Sequence, residues 1–561
     1  MIGLVTATAA GRNLARRLAG AWPGECTVHS GPVAGQIRAA WAESDALVCF
    51  LATGAAVRLL APLLRDKRTD PGVVCVDEAG THAVALLGGH GGGANALAQR
   101  VAEVLGARPV VTTATDAAGH TALDSFGADL GFRLADRAGL ARVGRALLDG
   151  EPVRIVADAT WPLPALPTGP GPVIAVSDRL AAAGDLVYRP PSLVAGVGAS
   201  RGVPREEVGE LVRDALAGAG LAIESVRALA TVDTKADEPG IVAAAHQLGL
   251  PLLTYPAGRL ASVDVPNPSE VVRAAVGTPS VAEAAALTGA RDAGRDASLV
   301  VPKRAGAMAT VAVARLTPRG RLAIVGLGPG AADLRAPRAT EALRRAAVVV
   351  GLDQYVDQIA HMLRPGTTIR RSGLGAEEER ARTAVELATA GHAVALIGSG
   401  DAGVYAMASP ALQLAGPDLD VSIVPGITAG LAAAALLGAP LGHDHAYLSL
   451  SDLHTPWPVI AGRLRACAAA DLVLCLYNPR SARRTAQFDE ALAILAEHRK
   501  PDTPVGVVRD ATRPDERIVL TTLDAIDAST VDMRSIVMVG SSRSTLVAGR
   551  LVTPREYRWL S

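Results

Sequence analysis

Four things are scarce in this sequence: aromatic residues, cysteine, long apolar runs and an excess of charge of either sign. Aromatic residues make up 3% of the 561 positions, which disfavours an aromatic-rich sandwich and favours layers of Ala-, Val- and Leu-rich helices and strands. Lys plus Arg number 55 and Asp plus Glu number 55, so the formal net charge is zero. Because proteins that bind nucleic acid through its phosphates are usually basic, this balance disfavours nucleic acid as a partner.

The few, scattered cysteines and the short apolar runs exclude further kinds of site and protein. No two of the five cysteines are spaced as Cys-x-x-Cys, so we expect no zinc or iron–sulfur site of the usual kind. An odd, scattered set also argues against disulfides and for a reducing compartment. No window reaches the ~18 uninterrupted apolar residues of a membrane span, and no basic segment precedes the first apolar run. We expect a cytoplasmic protein without a membrane segment or a metal.

Glycine, in contrast, is abundant at 58 residues, and short apolar runs alternate with Ala- and Leu-rich helical stretches. This alternation predicts an α/β fold whose parallel sheets are covered by helices. At ~150 residues per domain, the length predicts roughly three to four domains. A proline-rich stretch and a later polar break interrupt the alternation. The predicted domains are 1–160, 192–316 and 322–561, with a linker over 161–191.

Glycine-bearing turns follow several buried strands in the last part of the chain. They lie in AIVGLGPGAADL (323–334), VALIGSGDAGVYAMA (394–408) and SIVPGITAG (422–430). A single turn of this kind is common in α/β proteins and indicates little by itself. Pro329 stands where a helix N-terminus would bind pyrophosphate, so a Rossmann dinucleotide site is disfavoured. Three further stretches accompany the turns: LSLSDLHTPW (448–457), LYNPRS (476–481) and VTPREY (552–557).

With these motifs, region 320–561 resembles the class III, tetrapyrrole-type methyltransferases, and within them most closely the precorrin-3B C(17)-methyltransferases. The resemblance implies a two-lobed enzyme that uses S-adenosyl-L-methionine to methylate C-17 of a corrin precursor and contracts its ring. It implies substrate contacts at Gly326, Gly328 and Gly330. It also implies cofactor contacts at ten positions: Pro329, Ser399, Gly400, Asp401, Val404, Tyr405, Thr428, Ala429, Tyr477 and Asn478.

Acids and histidines cluster in the stretch that narrows the resemblance. Ring contraction calls for a general acid or base, and we take His443 and Asp452 as catalytic candidates. The neighbours Asp444, His445 and His454 are alternatives. Each of these residues also fits a polar position at the surface or behind the site, and the resemblance favours the segment, not a particular residue.

The strongest signals of the first third lie between residues 50 and 116. In LLGGHGGGANALA (86–98) a Gly-rich turn joins a strand to a helix. Such a turn can bind an anion through its free N–H groups, although a plain tight turn fits the composition as well. His90 inside this turn and Glu78 at a strand end stand out, since strand ends in α/β sheets face the binding crevice.

Together with GVGASRG (196–202), TVDTKADEPG (231–240) and GTPSVAEAAAL (277–287), these stretches make region 1–316 resemble the cobalt-precorrin-5A hydrolases. That family opens a δ-lactone and releases acetaldehyde. The resemblance implies a two-domain α/β hydrolase half, with His90 and Glu78 as candidate bases and the pair Lys235 and Glu238 as candidates from the second domain. The substrate carries many carboxylates, which suit basic groups and free N–H groups. The implied substrate contacts are Arg58, Lys67, Gly92, Asn95 and Lys235.

We therefore predict a bifunctional corrin-synthesis enzyme that acts on small tetrapyrroles alongside other enzymes of the pathway. The resemblance also implies a homodimer. One alternative is a class III methyltransferase acting on another corrin position or on RNA, although zero net charge and few aromatics disfavour RNA. The other is an N-terminal half that binds intermediates without catalysis.

Overall fold

Strands and helices alternate along the whole chain, as the α/β prediction requires. The computed structural model describes residues 1–66, 69–89, 91–114 and 118–555. It separates an N-terminal unit, Met1–Pro318 with Arg364–Gly366, from a C-terminal unit that holds Arg319–Leu363 and the chain from Thr367 onward. Within the described ranges, no helix is both long and apolar enough to cross a membrane.

The first sheet of the N-terminal unit has six strands. Their spatial order is Cys26–Val28, Ile2–Thr6, Ala46–Phe50, Gly72–Val76, His82–Leu87 and Arg108–Val110. Its helices are Ala9–Ala21, Val33–Glu43, Thr53–Leu60 and Ala94–Leu105. The predicted parallel arrangement is wrong at one pair of strands, because His82–Leu87 pairs antiparallel with Gly72–Val76.

A tight turn at Asp77–Gly80 causes this reversal. The Gly80 N–H donates to the Asp77 carbonyl at 2.9 Å. The Asp77 carboxylate accepts hydrogen bonds from the Thr81 hydroxyl and the His82 N–H, both at 2.6 Å. An aspartate that closes a turn in this way specifies a hairpin. The glycine-rich loop that follows therefore lies at the opposite edge of the sheet from Glu78.

The second sheet comes partly from the segment 161–191, which the sequence predicts as a linker. Its spatial order is Arg133–Leu134, Leu186–Arg189, Thr168–Val176 and Val153–Ala157, beside the helix Leu140–Leu148. The register shifts between Val153 and Arg154, opposite the run Gly-Pro-Gly-Pro at 169–172. Proline cannot donate a ladder hydrogen bond and is tolerated at such irregularities, so the prolines do not prevent a strand here.

The third sheet joins three parallel strands to an antiparallel hairpin. Its order is Leu252–Tyr255, Val226–Val232, Leu193–Ala199, Ala309–Thr317 and Asp296–Ala305. Its helices are Arg205–Ala217, Pro239–Leu248, Ala257–Ala261, Glu270–Val276 and Val281–Ala293. A Cβ atom at Gly196 would lie 1.9 Å from the Ala282 carbonyl oxygen, so a glycine is needed where the helix Val281–Ala293 crosses the sheet.

The C-terminal unit has two lobes, and this confirms the predicted fold class. The first lobe is a parallel sheet in the order Thr368–Ser372, Val348–Leu352, Ala393–Gly398, Arg321–Gly326 and Asp420–Val424. Its helices are Pro337–Arg345, Asp353–Ile359, Glu377–Thr389 and Ala408–Leu414. Because the strands are parallel, their carboxyl ends share one edge, where crevices for ligands form.

The second lobe is a mixed sheet. Its order is His445–Ser449, Val473–Tyr477, Ser535–Val539, Pro504–Arg509 and Arg517–Thr522. Three helices, Ala429–Leu437, Trp457–Ala469 and Ala486–Ala496, belong to it, together with a small sheet of Gly438–Ala439, Arg550–Val552 and Thr545–Val547. The described residues also form short 3₁₀ turns: Ala61–Leu63, Leu123–Ser125, Ala128–Leu130, Ile223–Ser225, Asp233–Lys235, Ala332–Leu334, Ala360–Met362 and Ala528–Thr530.

Candidate functional site

Three loops meet at the carboxyl edge of the first-lobe sheet. They follow the strands that end at Gly326, Gly398 and Val424. The Gly328 N–H donates to the Gly400 carbonyl at 3.0 Å, and the Gly400 N–H donates to the Gly328 carbonyl at 2.8 Å. A Cβ at Gly326 would lie 2.7 Å from the Gly400 oxygen, and one at Gly426 would lie 2.1 Å from it. The glycines therefore allow backbone contacts that no side chain would permit.

Asp401 ties two of these loops together. Its carboxylate accepts hydrogen bonds from the Gly403 N–H at 2.8 Å and the Gly426 N–H at 3.0 Å. Carboxylate acceptors of this kind make strong hydrogen bonds. From its position in the motif, Asp401 fits either a contact through its backbone or a role as a fixed acceptor. The side chain acts as a fixed acceptor that sets the relative position of the second and third loops.

Several predicted cofactor residues surround the hydroxyl of Tyr477. This hydroxyl lies 2.7 Å from the Thr428 Oγ1 and accepts the Gly430 N–H at 2.7 Å. The Gly430 N–H belongs to the first turn of the helix Ala429–Leu437, whose amino groups have no partner within the helix. Burial of the Tyr477 side chain raises its pKa. Val404 and Ala429 pack against the same apolar cluster as Tyr477.

Three tyrosine rings form a cluster at this place. The ring centroids of Tyr405 and Tyr477 are 5.3 Å apart, and those of Tyr447 and Tyr477 are 5.5 Å apart. The Tyr405 hydroxyl donates to the Tyr447 carbonyl at 2.8 Å. Tyr405 has a φ of +50° and is 54% exposed. Backbone strain at an exposed residue is often found at binding sites.

A buried arginine that the sequence analysis missed holds the loop after Tyr477. Arg484 donates to the carbonyls of Asn478 at 2.5 Å and Leu450 at 2.8 Å. Burial lowers the pKa of its guanidinium. Asn478, with a φ of +47°, donates to the Ser449 Oγ at 3.0 Å. In the sequence, Arg484 is one of three arginines in NPRSARR, and nothing local distinguishes it.

The two catalytic candidates of this unit lie far from each other. Asp452 follows the carboxyl end of the strand His445–Ser449, 3.8 Å from Arg484, and accepts the Gln487 amide at 2.8 Å. Ser449 pairs with Tyr477, so Asp452 lies near the Tyr477 end of these strands. His443 precedes the same strand and therefore lies at the other end, at least about 13 Å away at ~3.3 Å per residue. The strand separates His443 from the loops around Tyr477.

His443 instead belongs to a separate cavity. Its Nδ1 accepts the Asp444 N–H at 2.8 Å. His443, Asp444 and His445 line this cavity of about 500 Å³ together with Arg555. His454 is exposed in the loop that follows Asp452.

Arg513 is the other residue that the sequence analysis missed. Its Nε donates to the Pro329 carbonyl at 3.1 Å, and its Nη2 donates to the Ser399 Oγ at 3.2 Å. The adjacent Thr512 has a φ of +63°, and its hydroxyl accepts the Ala331 N–H at 3.2 Å. Arg513 thus connects the second lobe to two loops of the first lobe. More than a hundred residues separate it from Ser399 in the chain, so no local motif could indicate the contact.

In the N-terminal unit the predicted site residues divide between two edges of the first sheet. Glu78 lies exposed in the hairpin turn after Val76. Arg58 donates to the Gly54 carbonyl at 2.9 Å near the start of the helix Thr53–Leu60, which follows the strand that ends at the same edge. These two residues are the candidates at the carboxyl edge of the first sheet.

The glycine-rich loop lies at the opposite edge. A Cβ at Gly72, the first residue of the strand Gly72–Val76, would lie 2.1 Å from the Gly92 oxygen. Asn95 is buried, and its Nδ2 donates to the Thr113 Oγ1 at 3.1 Å. The five-residue strand places Glu78 about 17 Å from this loop at ~3.3 Å per residue. His90 and Lys67 lie outside the described residues.

Lys235 and Glu238 form an ion pair of 2.9 Å at the carboxyl edge of the third sheet. The buried Glu238 carboxylate also accepts the Gly202 N–H at 2.7 Å. The hydrogen bond from Lys235 is the main cause that lowers the pKa of Glu238. The pair joins the TVDTKADEPG and GVGASRG stretches, so Lys235 is engaged in holding this edge together. Among the residues with described positions, no group of three or more His, Cys, Asp or Glu side chains could hold a metal ion.

Three family models match the chain. The description "Tetrapyrrole (Corrin/Porphyrin) Methylases" matches residues 321–527. "Cobalamin synthesis G N-terminal" matches residues 35–116, and "Cobalamin synthesis G C-terminus" matches residues 193–314. The matched segments follow one another along the chain without overlap.

Individual relatives match the C-terminal part. A probable cobalt-factor III C(17)-methyltransferase of Salmonella typhimurium is 46% identical over 242 residues, which are 42% of this chain and 99% of that protein. A precorrin-3B C(17)-methyltransferase of Sinorhizobium sp is 40% identical over 249 residues, 42% of this chain and 97% of the relative. The chain spans about half the length of further relatives from Priestia megaterium and Mycobacterium.

Solved structures also match. The crystal structure of the methyltransferase CobJ is 40% identical, covers 42% of this chain and 100% of its own, and has a TM-score of 0.40.

Proposed function

The chain belongs to the tetrapyrrole (corrin/porphyrin) methylases and carries both cobalamin synthesis G regions ahead of its methylase region; on this basis we propose that it is a bifunctional enzyme of corrin-ring synthesis. The C-terminal unit methylates C-17 of precorrin-3B, or of its cobalt-containing equivalent, with ring contraction. The N-terminal unit opens the δ-lactone of cobalt-precorrin-5A and releases acetaldehyde. The observation that carries the first activity is the 46% identity to a C(17)-methyltransferase over 99% of its length.

The loops around Gly400 fit S-adenosyl-L-methionine, which supplies the methyl group when bound. The glycines at 326, 400 and 426 keep side chains away from this edge, so a ligand can approach the loop backbone closely. Asp401 fixes these loops relative to each other, and Tyr477 fixes Thr428 and the helix that follows it. Methyl transfer needs alignment of donor and acceptor above all, and this rigid arrangement provides it.

Asp452 is our proposed proton-transfer group for ring contraction. It lies at the Tyr477 end of the second-lobe strands, while His443 lies at the other end. Arg484 and Gln487 orient its carboxylate. A general acid or base must reach the reacting group directly or through one water, and position therefore favours Asp452 over His443.

For lactone opening we propose that Gly92 and Asn95 bind the substrate at the glycine-rich edge of the first sheet. The buried Asn95 is held by Thr113, and the adjacent loop offers N–H groups that could stabilise an oxyanion. His90 stays the candidate base because it lies in this loop by sequence, whereas Glu78 belongs to the opposite edge. Lys235 is proposed to contact a substrate carboxylate from the third sheet, and a homodimer is proposed from the resemblance alone.

The test incubates the purified full chain with precorrin-3B or cobalt-factor III and S-adenosyl-L-methionine, and reads the products by mass spectrometry. We expect a gain of one methyl group. A separate incubation with cobalt-precorrin-5A is expected to release acetaldehyde, which a coupled alcohol dehydrogenase detects. Absence of the methyl gain with both substrates would refute the first activity, and absence of acetaldehyde would refute the second.

A further inference from the structure

The N-terminal unit has a cavity whose lining includes none of the candidate site residues. It has a volume of about 520 Å³. Its walls include Pro191, Val226–Ala228 and Gly249–Pro251, which precede or begin the three parallel strands of the third sheet. The cavity is therefore at the amino edge of this sheet, whereas Lys235 and Glu238 lie at the carboxyl edge.

Arg227 is the feature of this cavity that packing does not explain. It is the only exposed and only charged residue of the strand Val226–Val232, whose other six residues are buried. Its surroundings are dense enough that desolvation lowers the pKa of the guanidinium. No carboxylate of the described residues forms an ion pair with Arg227.

A second arginine lines the same cavity from the second sheet. Arg133 is exposed, and it likewise forms no ion pair with any residue whose position is described. Asp292 is also in the wall, but its carboxylate is paired with Arg259 at 2.5 Å. Arg259 in turn lies over the Tyr255 ring at 5.2 Å. Glu224 also lines the cavity, is exposed and forms no ion pair with a described residue, so the lining carries two arginines against one such carboxylate and favours an anionic ligand.

The lining also has an apolar part. It includes Leu130, Pro191, Val226, Leu250 and Leu253. The volume falls within the roughly 300–1,000 Å³ of small-molecule sites, which combine apolar walls with a few polar groups. Guanidinium groups bind carboxylates in a planar, two-pronged geometry. The lining thus matches a ligand with an apolar body and at least one carboxylate.

We propose that this cavity is a binding site for such a carboxylate ligand, held by Arg133 and Arg227. The ligand is either a free small dicarboxylate or one carboxylate arm of a tetrapyrrole. The tetrapyrrole as ligand rests on the proposed function, whereas the free dicarboxylate does not.

The test measures binding of two probes to the full-length chain: uroporphyrin I, an octacarboxylate macrocycle, by fluorescence titration, and glutarate by calorimetry. The variants are Arg133→Met and Arg227→Met, which keep most of the apolar stem. Arg227→Lys keeps the charge and guards against misfolding, and Arg213→Met, an exposed arginine of the helix Arg205–Ala217, is the matched control. Circular dichroism and thermal melts verify that each variant is folded.

We expect Arg133→Met and Arg227→Met each to lower the affinity for one of the two probes about tenfold. Arg227→Lys should lower that affinity less, and Arg213→Met should leave it within about twofold of the wild type. If these variants bind one equivalent of uroporphyrin less per chain and still bind glutarate, the ligand is a tetrapyrrole. If they lose glutarate binding, the ligand is a free small anion. If folded variants bind both probes as the wild type does, the proposal is wrong. The acetaldehyde assay on the wild type tests the proposed function separately, since it does not depend on these variants.

Discussion

Single hydroxyl and guanidinium groups hold the methylase loops in place, and their loss has separable effects. The Tyr477 hydroxyl serves two partners on a different segment, Thr428 and the Gly430 N–H. Arg513 serves two loops at once. Neither residue needs to touch the reacting atoms to affect binding.

We expect Tyr477→Phe to weaken S-adenosylhomocysteine binding about five- to tenfold, because the Gly430 N–H loses its acceptor and the loop loses its anchor. Calorimetric titration of the full chain measures this. The matched control is Tyr188→Phe, since the Tyr188 hydroxyl is likewise buried and hydrogen-bonded to the backbone, in its case as donor to the Leu123 carbonyl. Tyr188→Phe should lower the melting temperature without changing the affinity. Equal affinity in the two variants would contradict the role assigned to Tyr477.

Arg513→Ala is expected to raise the KM for the tetrapyrrole and to weaken S-adenosylhomocysteine binding, each about tenfold, because the first loop and the Ser399 loop lose their common donor. Arg513→Lys replaces the planar guanidinium, which donates from two nitrogens, by a single ammonium group that cannot reach both oxygens in the same geometry. This variant should therefore recover only part of the loss. The exposed Arg517, four residues further on, provides the control Arg517→Ala. Unchanged KM and affinity in Arg513→Ala would show that this arginine is dispensable for the loops.

At the scale of elements, strand positions could be predicted from the sequence, whereas strand direction could not. The apolar runs before the glycine turns correctly indicated Arg321–Gly326, Ala393–Gly398 and Asp420–Val424. Apolar runs carry no information about direction, and the reversal after Val76 depends on two hydrogen bonds to one aspartate. This single turn separates Glu78 from the glycine-rich loop that the sequence analysis had grouped with it.

The site was predictable to a similar extent. The glycine-bearing loops and Tyr477 could be identified because their motifs are contiguous. Arg484 and Arg513 could not. Arg484 binds backbone carbonyls, which leave no sequence signal, and the partners of Arg513 are more than a hundred residues away in the chain. Likewise, the linker prediction over 161–191 relied on proline as a strand breaker and did not anticipate a register shift that tolerates it.

Gly426→Ala tests the meeting of the loops. Its new Cβ would lie 2.1 Å from the Gly400 oxygen, so the loops must separate. We expect S-adenosylhomocysteine binding to fall at least a hundredfold, as measured by calorimetry. Gly416→Ala is the control, because no atom lies within 4 Å of a Cβ there. Comparable affinity in the two variants would show that the loop contact is not needed for binding.

The Lys235–Glu238 pair at the third sheet predicts that the stability of the fold depends on pH. The pKa of Glu238 is lowered in the folded chain, so its carboxylate stabilises the fold above the usual glutamate pKa, and this stabilisation is lost as pH falls through the folded pKa. Denaturant melts at neutral pH should therefore show Glu238→Gln less stable than the wild type, with the difference shrinking toward pH 3. A difference that stays constant with pH would contradict the ionic role.

At the scale of the whole molecule, the two activities are expected to fail independently. Gly72→Ala would place a Cβ 2.1 Å from the Gly92 oxygen and distort the glycine-rich loop. We expect it to reduce acetaldehyde release at least tenfold while methyl transfer stays within about twofold of the wild type. Gly426→Ala should give the reverse pattern. Loss of both activities in either variant would mean that the units depend on each other for folding.

The tyrosine cluster also gives the molecule a built-in optical reporter. The chain has only seven tyrosines, and three of them, Tyr405, Tyr447 and Tyr477, lie with ring centroids 5.3 and 5.5 Å apart for the two pairs that share Tyr477. Aromatic rings that lie this close to each other couple their electronic transitions. Much of the near-ultraviolet circular dichroism of tyrosine should therefore originate in this cluster. Because the chain has few other aromatic residues, circular dichroism should report ligand binding near this cluster without any added label.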